Sequence, residues 1–111
     1  MAMPSHKDVM IPFLTYLRNK RERELADIKD GIAGIMNLDE VTLALSMDDG
    51  RNLFENRVEF ANARLKIAGL VQSERFGWVQ ITDDGLQMLE ENPNGIARFT
   101  EQCYHKFRRT R

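Results

Sequence analysis

The apolar residues of this chain recur with two different periods, and the order in which the periods alternate predicts the fold. From Ser5, a suitable cap, Val9, Met10, Phe13, Leu14 and Leu17 return at steps of three and four, predicting an amphipathic helix over about 5–19. Pro12 fits only near the start of such a helix, where the amide it lacks has no partner to lose. The basic cluster Arg18-Asn19-Lys20-Arg21 ends it, and Glu22 and Glu24 fall in a short extended turn. Leu25, Ile28, Ile32, Ile35 and Met36 then give a second helix over about 25–37. Asp39 and Glu40, followed by Val41, Leu43 and Leu45, predict a short helix over about 40–46 before the Asp48-Asp49-Gly50 turn.

The longest stripe is Phe54, Val58, Ala61, Leu65 and Ala68, which predicts a helix over about 51–69 closed by Gly69. Here the period changes. Leu70-Val71-Gln72-Ser73 and Trp78-Val79-Gln80-Ile81 are β-prone runs flanking Glu74-Arg75-Phe76-Gly77, so residues 70–82 read as a hairpin. Thr82 caps a further helix over about 83–91, and Ile96, Phe99, Cys103, Tyr104 and Phe107 hold helical spacing over about 95–108. The fold class is therefore mainly α with a small β-hairpin, a winged helix-turn-helix, in one domain over 1–111.

Element order gives this pattern a functional expectation. A helix about 10 Å across fits the DNA major groove, and a hairpin beside it reaches the adjacent backbone or minor groove. With Phe54, Val58 and Leu65 facing inward, helical geometry sends Asn52, Glu55, Asn56, Glu59 and Lys66 to the opposite face. Asn52 and Asn56 are the first-choice base readers, because an amide offers adenine both a donor and an acceptor. Arg51, Arg57 and Arg64 suit phosphates or guanine, Arg57 and Arg64 having acids of the second helix as alternative partners. Lys66 and Arg75, the latter at the hairpin tip, suit a phosphate or a minor groove.

Charge limits this expectation. The net charge is −1 and the pI about 6.1, so binding to nucleic acid must come from a local basic face. Glu55 and Glu59 on the reading face would repel phosphate. No apolar run suits a secretory signal or a membrane span, and a cytoplasmic location is expected.

Leu53-Phe54-Glu55-Asn56-Arg57-Val58-Glu59-Phe60-Ala61, Ala68-Gly69-Leu70 and Ile81-Thr82-Asp83-Asp84-Gly85 together resemble the N-terminal domain of Mrr-type restriction endonucleases, whose pattern runs L-F-x-N-R-V-x-W-A, A-G-L and I-T-x-x-G. Met3-Pro4-Ser5 and Glu90-Glu91-Asn92-Pro93 extend the likeness across nearly the whole chain. Phe60 stands where the family often carries tryptophan, a conservative aromatic change for packing. The resemblance implies a module that recognises double-stranded DNA, plain or modified, for a restriction or defence system. It also implies a nuclease domain, which would begin beyond Arg111.

No chemistry is expected from the chain itself: not an enzyme, no cofactor and no metal. Asp27-Ile28-Lys29 has the spacing of a nuclease motif but sits in a predicted helix with no partner strand. Asp48-Asp49 and Asp83-Asp84 suit caps, His6 and His105 lie at opposite ends of the chain, and Cys103, the one cysteine, has no partner. Two alternatives accompany the targeting module. One is a transcription regulator forming a homodimer through Ile96, Phe99, Tyr104 and Phe107; the other is a protein-interaction module that has lost DNA binding.

Overall fold

The computed structural model describes residues 3–91; the expected helix over 95–108, with Cys103, His105 and the dimer-contact residues, lies outside them. The elements run α1 Met10–Tyr16, β1 Arg23–Glu24, α2 Leu25–Ile35, α3 Glu40–Leu43, α4 Leu53–Ile67, β2 Val71–Gln72, β3 Trp78–Ile81 and α5 Asp83–Glu91.

The first helix is shorter than the periodicity suggests, because Ser5 and Asp8 close a separate turn before it. Ser5 N donates to Asp8 Oδ2 at 2.9 Å and Asp8 N to Ser5 Oγ at 3.1 Å. Helix α1 then starts at Met10, which places Pro12 in its first turn. The chain reverses at Lys20, whose φ is +67°, well before the expected extended turn.

That turn is a strand. Arg23 pairs with Val79 and Glu24 with Trp78, so the expected two-stranded wing is a three-stranded antiparallel sheet of order β1-β3-β2. Leu25 N also donates to Gly77 O at 2.8 Å, tying the start of α2 to the hairpin.

Helices α2 and α4 end in the same way. Asn37 and Gly69, at φ +54° and +79°, take the left-handed position that closes a helix. Leu38 N then donates to Ala33 O at 3.0 Å and Leu70 N to Leu65 O at 2.9 Å. Helix α3 stops at Leu43, short of the expected residue 46, since Ser46 bridges to Asn52 and Met47 N donates to Arg51 O at 2.7 Å in a tight loop.

The core draws on every layer: Phe13, Leu14 and Leu17 from α1, Ile28 and Ile32 from α2, Val58 and Leu65 from α4, Val79 and Ile81 from β3 and Met88 from α5. Each such side chain withdrawn from water contributes roughly 1.5–3 kcal/mol before entropy is counted. The A-G-L and I-T-x-x-G stretches meet at the root of the wing. Thr82 Oγ1 donates to Gly69 O at 2.6 Å and accepts from Gly85 N at 3.1 Å, so one hydroxyl joins the end of α4 to the start of α5. A Cβ at position 85 would overlap the Leu70 carbonyl oxygen, which is why glycine stands there. The whole is a mostly helical, winged-helix-like arrangement, with α4 and the β2–β3 hairpin side by side.

Candidate nucleic-acid interface

Helix α4 turns Phe54, Val58, Ala61 and Leu65 inward, and the rest of its surface divides into two flanks and an outward face. Glu55 and Glu59 occupy the flank toward α2. Lys29 of α2, whose side chain is 18% exposed, reaches between them and bonds Glu55 Oε1 at 3.3 Å and Glu59 Oε2 at 3.1 Å. The two acids that sequence reasoning set against phosphate are thus held by a cation from the neighbouring helix. Lys29 belongs to the Asp27-Ile28-Lys29 triplet, in which Ile28 is a fully buried core residue.

On the opposite flank stand Arg57 and Arg64, and the first turn of the chain lies against them. The His6 ring meets the Phe60 ring edge-on at 4.5 Å between centroids, and the Arg64 guanidinium lies 5.5 Å from the Phe60 centroid. Burial, joined by the charges of Arg64, Lys7 and Arg57 and opposed by Asp8, holds His6 below the ordinary histidine pKa. Arg57 is half-buried and its Nε has no hydrogen-bond partner.

Phe60 does not pack in the core as a conservative replacement would. It is 48% exposed, as is Ile67, and exposed Ala63 lies between them on the outward face. Half-buried Asn56 shares that face at its N-terminal end.

Asn52 has a different position from the one expected. It caps α4: Oδ1 accepts from Glu55 N at 2.9 Å, while Nδ2 donates to Leu43 O at 2.8 Å. Both ends of this amide are thus engaged within the fold, and the helix starts at Leu53 rather than Arg51. The signal was present in the sequence, since asparagine three residues before a glutamate is a capping pattern. Arg51 lies in the preceding loop, where its Nε donates to Asp49 Oδ2 at 2.7 Å. Asp49 also accepts from Arg51 N, and this backbone bond is the main cause holding its carboxyl below the usual range.

At the wing, Arg75 is tied back instead of projecting. Its Nη2 and Nε donate to Glu22 Oε1 at 3.0 and 3.3 Å, and its guanidinium lies 4.0 Å from the Trp78 ring centroid. Phe76, which the sequence did not single out, is the fully exposed residue there. Lys66 is exposed on the last turn of α4, beside a cleft that reaches the wing. Asp83, expected to cap, instead pairs with Lys20 at 3.3 Å while Thr82 caps α5.

A mostly helical chain with a small antiparallel sheet beside its longest helix is consistent with a winged-helix-like fold, and comparison with known proteins is more specific. A family model described as the Mrr N-terminal domain matches residues 6–91, and the chain belongs to that family. It is 32% identical over 98 residues to the Type IV methyl-directed restriction enzyme EcoKMrr of Escherichia coli, covering 87% of this chain and 32% of that protein. The chain thus spans about a third of the length of that curated relative. No solved structure matches it. Among the described residues, no helix is long and apolar enough to cross a membrane.

Proposed function

We propose that the chain is a DNA-targeting module of a restriction system, docking on duplex DNA with the outward face of α4 in the major groove and the wing alongside. The observation that carries this reading is the division of charge around α4. Lys29 engages the two glutamates of one flank, leaving Asn56 outward between that flank and Arg57, with Lys66 and Arg75 toward the wing. Asn56 is the base reader, Arg57 and Lys66 take phosphates, and Arg51 and Arg75 join by exchanging exposed ion pairs worth at most about 1 kcal/mol. The module acts without catalysis of its own, in the cytoplasm, and a nuclease domain beyond Arg111 supplies the cleavage.

The apolar stripe Phe60, Ala63 and Ile67 supports a finer reading. Methyl groups on adenine N6 and cytosine C5 lie in the major groove, where apolar side chains contact the thymine methyl in the same way. The relative's methyl-directed activity agrees with such a reader. Fluorescence anisotropy with methylated and unmethylated duplexes at two salt concentrations tests both levels. Salt-dependent binding to either duplex is expected, tighter for the methylated one. No binding at low salt overturns the targeting module, and equal affinities overturn the methyl reading.

The same exposed stripe favours, as the second reading, a module that binds protein through α4. Reversing the charges of Arg57 and Lys66 separates the two, because only a DNA-binding module loses duplex affinity with them.

A further inference from the structure

A cleft of about 630 Å³ lies between the first turn of α2, the last turns of α4 and the wing. Its volume is that of a small-molecule site. Leu25, Ala26, Val79 and Phe76 give it apolar walls, and Phe76 is wholly exposed at its rim. Asn62, which is 9% exposed, is its most deeply set polar residue, and Asn62 Oδ1 is buried with no hydrogen-bond partner. A buried acceptor left unpaired is destabilising, and the stripe of α4 next to it is otherwise apolar, so a leucine would suit the fold better than this amide.

The chemistry of the lining selects the occupant. Lys66 and Arg75 are balanced by Glu24 and Glu74, and Arg75 is already engaged by Glu22, so the cleft does not favour an anion. It offers the Asn62 side-chain amide, whose Oδ1 has no partner, and the exposed Phe76 ring. A flat, neutral heterocycle with a donor and an acceptor on one edge matches that set. Adenine and cytosine present such an edge through the exocyclic amine and the adjacent ring nitrogen.

We propose that the cleft receives one unstacked adenine or cytosine from DNA held by α4, with Asn62 Oδ1 accepting from the exocyclic amine and Phe76 stacking on the base. This rests on the DNA-docking reading. Extrusion from a paired stack opposes such binding, so a base that is already unpaired enters more readily. The whole chain is titrated by anisotropy against a paired duplex and against the same duplex carrying a single bulged adenine or cytosine. Binding at least about tenfold tighter to the bulged duplex is expected. Asn62→Leu removes the preference with Tm unchanged or raised, and Phe76→Ala, an exposed change that leaves folding intact, reduces it. Lys66→Ala weakens both duplexes alike. Equal affinity for the two duplexes, or a preference that survives both Asn62→Leu and Phe76→Ala, overturns the cleft as a base site and leaves DNA docking standing. Failure to bind either duplex overturns docking, and free adenosine and cytidine then decide the cleft. A shift of the Asn62 side-chain amide resonances on adding either nucleoside supports it, and no shift overturns it.

Discussion

Glu55 and Glu59, on the α2 side of α4, share one lysine whose side chain is mostly buried, whereas Arg57 and Arg64, on the other side, meet a histidine and an aromatic ring from the first turn and from α4 itself. The first flank compensates charge inside the fold; the second keeps cations beside the outward face. The difference shows how a chain of net charge −1 sets its charges apart, with acids held against a lysine on one side of α4 and cations gathered on the other.

The comparison breaks most completely by reversing a cation on each side of α4. Arg57→Glu with Lys66→Glu, each placed on phosphate in the proposed complex, is expected to lower duplex affinity by at least about a hundredfold and to flatten its salt dependence, measured by anisotropy across a salt series. Opening the compensated flank comes next. Lys29→Met frees two glutamates, and duplex affinity is expected to fall about tenfold with a lowered Tm. Glu59→Gln works in the opposite direction and is expected to tighten binding about two- to threefold, with Tm almost unchanged.

The smallest effect concerns His6. Its folded pKa is below the unfolded value, so the unfolded state binds more protons and stability falls as pH drops below about 6.5. In His6→Gln that acid-side fall in Tm is expected to be shallower, by thermal melts between about pH 7 and 5. Protonated His6 also adds a cation beside α4. Duplex affinity of the parent chain should therefore rise over the range in which its stability falls.

Much of the fold was legible because it is written in local patterns. The stripe from Phe54 to Ala68 gave α4, Gly69 its end, and the β-prone runs around Gly77 the hairpin. Strand β1 was not legible, being two charged residues whose strand character comes only from pairing with β3. The site was less legible than the fold. Asn52 and Asn56 look alike on a helical wheel, yet one caps the helix and the other faces outward. The partners of Glu59, Lys29 and Arg75 lie from 26 to 53 residues away in sequence, a separation that no local pattern encodes. Phe60 misled because an aromatic residue next to an apolar stripe suggests burial, whereas its helical position places it outward.

The hydroxyl of Thr82 holds the wing at its root, joining Gly69 and Gly85, while the tip carries Phe76 in water. Such a hairpin is a beam pinned at both ends, at its root by Thr82 and near its tip by the Leu25–Gly77 hydrogen bond and the Arg75–Glu22 pair. Backbone amides at its root should exchange with solvent only when the α4–α5 junction opens. The wing therefore keeps its angle to α4, and the Phe76 side chain is what it holds out into water.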